Sequence, residues 1–324
     1  MNQSGRRTSW LQRLPFGLFG MVLGLLSLSS AWRRLAQLDP DAPSELADGL
    51  QGAGLVLQAL LLLLMAGRVL RYPRSLLHDF RHPLHSAMLA LCPVSLLFSV
   101  ILLQPAHPGW HSLALLVVVL ALGLQAVLAW KIVGRLSTGR MPPDQISPAL
   151  YLPIVPGGFV GAMAVSALGY PGFAMLLFGM GISGWALLEV RILNRLYAGP
   201  LPLSLRPTLG IEIAPATVGT LTMLALWPQL PVEVVMICLG ISSGPLFAVL
   251  TRWHAIRETP FSAGFWSFSF PLAAMAASVV EAVQRGHWPL LVAWAAVLLV
   301  TGVVLVLTVR TLRLLWQGRL LPAA

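Results

Sequence analysis

Long apolar runs alternate with short polar segments rich in Arg, Pro and Gly from one end of the chain to the other. Ten runs can be drawn, at about 14–36, 46–70, 83–104, 110–134, 148–168, 171–195, 207–227, 231–252, 261–284 and 288–315. Each is solidly apolar. A bilayer core about 30 Å thick needs about 20 such residues in a helix. A transmembrane barrel would instead show segments of about ten residues with alternating polarity. The pattern predicts an all-α polytopic membrane protein with ten transmembrane helices. The third, fifth, seventh and ninth runs begin close behind Pro83, Pro148, Pro207 and Pro260, where helices accept proline.

The odd and even runs differ. Prolines at the starts of the odd runs (Pro15, Pro83, Pro148, Pro207, Pro260) recur at about the length of one helical hairpin. Four odd runs carry proline further in: Pro93, Pro153 with Pro156, Pro215, and Pro271. Most even runs are unbroken, as in Leu60 to Leu64, and Pro245 is the exception. An interior proline removes a backbone hydrogen bond. In lipid, the freed carbonyl must find protein or a water-filled cavity. Glycines in the odd runs (Gly17, Gly20, Gly24, Gly157, Gly158) permit close approach. The expectation is five helical hairpins around a central pore, kinked odd helices inside and straight even helices facing lipid. Gly17, Gly20, Pro93, Pro156, Gly157, Pro215 and Pro271 are the candidate pore-lining or kink residues. The alternative is that the prolines merely bend packed helices.

Composition agrees and adds orientation. Hydrophobic residues are 57% of the 324, charged residues 10%, and mean hydropathy is +0.81. No soluble fold hides that much apolar surface, and disorder is excluded by the same numbers. Of the 21 Lys and Arg, 18 fall on one face of a ten-span arrangement, and only Arg33, Arg34 and Arg285 fall on the other. The positive-inside rule then makes both termini cytoplasmic. The net charge of +10 is read as this topology signal, with a weak anion-attracting field besides, and not as a nucleic-acid footprint. Gly5-Arg6-Arg7-Thr8 imitates a twin-arginine signal, but the first run reads as an uncleaved span. Trp32, Trp110, Trp227, Trp253, Trp288 and Trp316 are expected as an interfacial belt. The organisation expected is a cytoplasmic segment 1–13, a membrane domain 14–317 and a cytoplasmic tail 318–324.

Candidate chemistry is sparse. Glu212 lies inside the seventh run and Glu189 near the basic end of the sixth. An intramembrane carboxylate is costly and is a functional candidate by default. Glu212 is therefore the candidate proton or charge site. Pairing with Arg191, Arg195 or Arg206 is the structural alternative, favoured by position. His78, His82 and His85 have helical ligand spacing, but Pro83 interrupts the face, so interfacial histidines are expected. Cys92 and Cys238 lie inside runs and suggest no disulfide. No HExxH or Walker A pattern is present, and no GxSxG or GxGxxG has a strand context. An enzyme is not expected, nor a catalytic residue, a metal or a cofactor. The densest aromatic segment, Phe261 to Pro271, places rings beside a kink, where a ring can block a lumen or pack between helices.

Five segments carry a family resemblance: Pro15-Phe16-Gly17-Leu18-Phe19-Gly20-Met21-Val22-Leu23-Gly24, Arg81-His82-Pro83, Leu150-Tyr151-Leu152-Pro153, Leu209-Gly210-Ile211-Glu212-Ile213-Ala214-Pro215 and Phe265-Trp266-Ser267-Phe268-Ser269-Phe270-Pro271. They resemble the tellurite-resistance/dicarboxylate transporter family in its TehA-like branch, to which plant slow anion channels and fungal malate and sulfite transporters are related. The resemblance runs from Pro15 to about Gln317. It implies ten helices in five hairpins with quasi-fivefold arrangement, a homotrimer with one pore per protomer, and a bacterial inner membrane location. It implies a pore occluded by a phenylalanine of the ninth span, which maps onto Phe270, with Phe268 as the fallback. Small inorganic or organic anions and the lipid bilayer are the implied partners, with no nucleic acid. The function implied is an anion channel or channel-like transporter with a nearly neutral pore, linked to tellurite resistance. The rival is a proton-coupled transporter or exporter of tellurite, sulfite or a C4-dicarboxylate using Glu212.

Overall fold

The computed structural model describes residues 9–321. Arg6 and Arg7, counted above on the basic face, lie outside the described residues, as do residues 322–324 of the tail. Ten helices among the described residues are long and apolar enough to cross a membrane. They are span 1 (Phe16–Leu38), span 2 (Ser44–Arg71), span 3 (Pro83–Leu103), span 4 (Pro108–Ser137), span 5 (Pro148–Ala167), span 6 (Pro171–Tyr197), span 7 (Arg206–Leu226), span 8 (Val232–Thr251), span 9 (Ala263–Gly286) and span 10 (Leu290–Trp316). Every boundary falls within about three residues of the sequence expectation, and no strand occurs among the described residues.

Odd and even spans separate by burial. In the most apolar stretch of each odd span 56–89% of residues are buried, against 22–28% in the even spans. The odd spans form a closed ring: span 1 packs on span 3, 3 on 5, 5 on 7, 7 on 9, and 9 back on 1. Each even span packs on its hairpin partner, spans 4, 6, 8 and 10 also lean on the next odd span, and span 2 reaches span 3 through Gln58. The outer faces present Leu63, Val119, Leu187, Leu291 and Leu305 openly. A face this apolar is stable only against lipid.

The local structure of the inner ring follows from proline. Four odd spans open as a tight 3-10 segment (Phe16–Leu18, Pro148–Tyr151, Arg206–Ile213, Ala263–Phe268) and then restart as an α-helix. Span 3 breaks at Ala90, between Pro83–Leu89 and Leu91–Leu103. Pro93, Pro156, Pro215 and Pro271 therefore sit in the first turn of a restarted helix. Each proline still leaves a carbonyl of the preceding turn without its backbone donor, and the Leu152 carbonyl, four residues before Pro156, is met by Gln125 instead. The sequence reading of interior kinks becomes, in the structure, a set of helix restarts.

Two glycines set how closely span 9 is held. A Cβ on Gly24 would lie 2.7 Å from Ser269 Cβ, and one on Gly210 would lie 2.7 Å from the Phe268 amide nitrogen. No side chain fits at either place. The outer spans in turn send polar groups inward, where broken backbone needs donors. Gln58 of span 2 receives Ser99 Oγ at 2.6 Å. Gln125 of span 4 donates to the carbonyls of Ala90 and Leu152 at 3.4 and 3.5 Å. Ser242 of span 8 meets Thr220 Oγ1 at 3.2 Å. Thr301 and Thr311 of span 10 accept from the indoles of Trp32 and Trp266 at 3.0 and 2.8 Å.

One expectation is corrected here, and one element is new. Trp32 is not part of an interfacial belt: it is buried edge to face against Trp294, with centroids 5.8 Å apart. The connector between spans 2 and 3 contains a helix, Pro73–Arg81. Its apolar residues are too few to signal it in a hydropathy profile, and proline at its start fixes the first turn.

Candidate functional site

The five odd spans enclose a cavity of about 120 Å³ in the half of the molecule nearer the basic face. All five contribute: Gly17, Gly20 and Leu23 from span 1, Leu84 to Val94 from span 3, Leu152 and Pro156 from span 5, Thr208, Ile211 and Ala214 from span 7, and Trp266, Phe270 and Pro271 from span 9. None of the described residues lining it is ionisable. A Cβ on Gly17 would meet nothing within 4 Å, because that position opens on the cavity.

The helix restarts converge on this space. Gly20, Leu91, Pro156, Ala214 and Phe270 all line the cavity, and each lies in the first turn of its α segment. Each of these segments follows directly on helical or turn residues, and the amides of Phe19, Ala214 and Ser269 are already bonded to the 3-10 turn before them, so the spans themselves begin nearer the basic face. All five odd spans run from the basic face, so the positive ends of their dipoles lie on the side of the molecule that holds this nearly neutral cavity.

Of the expected lining residues, Gly17, Gly20, Pro156 and Pro271 border the cavity, as does Phe270. Pro93, Gly157 and Pro215 are set back from it. A Cβ on Gly157 would lie 3.4 Å from Gln125 Cβ, and Pro215 borders a separate small void with Tyr151 and Phe159. The structure separates the two candidate phenylalanines. Phe268 stacks on Phe265 at 6.3 Å and faces an outer groove, while Phe270 faces the cavity and is 8% exposed.

Glu212 is 4% exposed and does not line the cavity. Its Oε2 makes no hydrogen bond. Glu189 accepts from the Tyr151 hydroxyl, and from Trp185 Nε1 at 2.8 Å. The ion pairs expected of these two carboxylates are not formed among the described residues. Arg195 and Arg206 are drawn to backbone carbonyls instead: Arg195 to Pro143, Gly199 and Pro200, Arg206 to Leu201 and Ala255. Arginines near helix ends commonly satisfy the last carbonyls in this way.

The histidines form a cap and not a metal site. His82 Nδ1 accepts from the His85 amide at 3.4 Å, at the start of span 3. His85 Nδ1 lies 3.0 Å from Asp79 Oδ1, and Arg68 donates to Asp79 Oδ2 at 2.6 Å. Arg68 also donates to the Leu14 carbonyl at 2.8 Å and Ser75 Oγ at 2.6 Å. Burial alone would raise the Asp79 carboxyl, but the His85 hydrogen bond and the Arg68 guanidinium outweigh it and hold it below the usual carboxylate range. His82 is lowered by burial first, then by His85, His78 and Arg135. No group of three or more His, Cys, Asp or Glu among the described residues could hold a metal ion.

Sequence reasoning missed Phe98, whose ring meets Phe270, and the inward polar residues of the even spans. Gln58 and Gln125 are amides set among apolar residues in the middle of their runs, which is the signal that could have found them.

A ring of five broken helices around an uncharged cavity, wrapped by five apolar outer helices, defines an all-α polytopic membrane protein. The family model described as SLAC1, voltage-dependent anion channel, matches residues 13–314, and the chain belongs to that family. The chain is 29% identical over 267 residues to the "Tellurite resistance protein TehA homolog" of Haemophilus influenzae, covering 82% of this chain and 80% of that one. It is 22% identical over 290 residues to the "S-type anion channel SLAH3" of Arabidopsis thaliana, covering 85% of this chain and 44% of that one. It is 24% identical over 321 residues to the "Guard cell S-type anion channel SLAC1" of the same plant, covering 95% of this chain and 57% of that one. The chain spans about half the length of these plant relatives.

Proposed function

We propose that this protein is an anion channel of the TehA type in a bacterial inner membrane, with both termini cytoplasmic and one pore per protomer of a homotrimer. The observation that carries the reading is a cavity without ionisable lining, enclosed by all five odd spans in the half nearer their N-terminal ends. Such a site draws anions by oriented backbone dipoles. It holds none of them tightly, since no fixed cation neutralises them. Conduction needs attraction strong enough to admit an ion and weak enough to release it.

Phe270 is the gate in this reading. Its ring borders a cavity of only about 120 Å³ and is 8% exposed, and an aromatic ring in so narrow a lumen can block it. The decisive experiment is anion current through purified protein in a planar bilayer, wild type beside Phe270→Ala. A near-silent wild type with a strongly conducting variant is expected. Two silent proteins would overturn the channel reading. A tellurite role belongs to the named relative, and here it is a proposal tested by tellurite flux through the same variant.

A second reading is kept because one observation favours it. Glu212 is a buried carboxylate without a hydrogen-bonding partner, which fits a proton carrier in coupled transport of tellurite, sulfite or a C4-dicarboxylate. Proton-driven uptake into liposomes that Glu212→Gln abolishes would establish it. Uptake independent of a proton gradient would remove it.

A further inference from the structure

A second space, larger than the central one, lies on the outer surface between spans 8 and 10. It is a groove of about 650 Å³. Its floor is the aromatic entry to span 9, formed by Phe261, Phe265 and Phe268. Its walls include Leu250 of span 8 and Val303 of span 10. Arg257 and Arg310 stand at its basic end. The Arg310 guanidinium lies over the Phe261 ring, 5.6 Å from the centroid. Neither arginine forms a salt bridge among the described residues, whereas Arg33, Arg34 and Arg285 on the opposite face are all paired with acids.

We propose that this groove is a binding site for an anionic phospholipid. The argument rests on polarity, length and charge. The walls are apolar and the groove opens toward the membrane, so an acyl chain wets it and water does not. Along span 10 it runs from Arg310 to Leu299, about 16 Å at about 1.5 Å per residue, which is about half of a hydrocarbon core. One acyl chain of one leaflet matches that depth. A phosphodiester then falls between two unpaired guanidiniums, the group that arginine binds best through paired N–H donors. The chain lies against Phe265 and Phe268, on the segment that leads directly into Phe270. The lipid thus braces the turn from which the cavity-facing ring projects.

The test measures binding and does not depend on conduction. Purified full-length protein is incubated with equal amounts of phosphatidylglycerol and phosphatidylcholine, and retained lipid is counted by native mass spectrometry. Wild type is expected to retain one phosphatidylglycerol per chain with about tenfold preference, since two arginines each favour an anionic headgroup. Arg257→Gln with Arg310→Gln is expected to bring the preference close to one. Arg71→Gln with Arg74→Gln removes the same charge away from the groove and is expected to leave it intact. Val303→Trp keeps both arginines, fills the groove and is expected to lower retention of phosphatidylglycerol. A wild-type ratio near one overturns the proposal, and it does so even if a variant fails to fold. Equal loss in both arginine pairs overturns it in favour of a diffuse basic field. Loss of oligomer mass in Val303→Trp with lipid retention unchanged overturns it in favour of a second copy in the groove.

Discussion

Phe98 and Phe270 meet edge to face, with ring centroids 5.5 Å apart and planes at 87°. They belong to spans 3 and 9, which are not neighbours in the inner ring, because span 1 packs between them. The contact therefore crosses the interior of the ring. An edge-to-face pair is worth about 0.5–1.5 kcal/mol beyond the area it buries. That holds the Phe270 ring in one orientation without locking it. If Phe98 acts only by holding Phe270, Phe98→Ala raises single-channel conductance in a planar bilayer less than Phe270→Ala does. The double variant then conducts no more than Phe270→Ala alone. Additive gains would mean that each ring blocks independently.

Span 9 owes its position to Gly24. With Ser269 Cβ 2.7 Å from where a Cβ would stand, Gly24→Ala forces spans 1 and 9 apart. Overpacking of this kind costs about 1–3 kcal/mol. Thermal unfolding in detergent should report a lower midpoint. Adding Ser269→Gly should recover part of the loss, because it removes the atoms in conflict.

The hydropathy pattern contained the ten spans and the inner-outer division, because a bilayer punishes any other arrangement of solid apolar runs. The odd-run prolines were legible as breaks, but not as restarts. Whether a proline kinks a helix or begins one depends on the residues before it, and the 3-10 segment Arg206–Ile213 has no signature that separates it from a helix. Gly17 and Gly20 were readable as small residues in a proline-led run. The set-back position of Pro93 and Gly157 was not, since it depends on helix rotation in the ring. Phe98 was one phenylalanine in an apolar run, and only the closed ring brings it to Phe270. Glu189 illustrates the same limit: proximity in sequence suggested arginine, while the fold supplied Tyr151 and Trp185.

Asp79 ties the connector helix Pro73–Arg81 to span 2 through Arg68, which is 3% exposed. Its carboxyl is held below the usual range in the folded protein. A depressed folded value contributes stability above the unfolded value and loses it as pH falls through the folded one. The difference in stability between wild type and Asp79→Asn should therefore be flat from neutral pH down to about 5 and shrink only below about 4. At neutral pH the variant leaves a buried guanidinium unpaired, which costs about 3–5 kcal/mol. Chemical denaturation of both proteins across that pH range measures it. A difference already lost at pH 6, where the carboxylate is still ionised, would show that the Asp79 charge is not what carries the link.

Gly17 offers the sharpest separation of a pore from a packing void. A Cβ there meets nothing within 4 Å, so a larger side chain has room to enter the cavity without displacing a helix. Gly17→Leu should therefore fold with an unfolding midpoint close to wild type or slightly above it, because Gly17 holds no positive φ and replacing such a glycine stabilises by roughly 1 kcal/mol or less through the unfolded chain. In the Phe270→Ala background, where current is measurable, the same substitution places an isobutyl group in a space of about 120 Å³. If ions pass through that space, conductance should fall at least tenfold. Were they to pass elsewhere, such as between protomers, Gly17→Leu would leave the Phe270→Ala current unchanged, and the cavity would be a void between broken helices with no part in permeation.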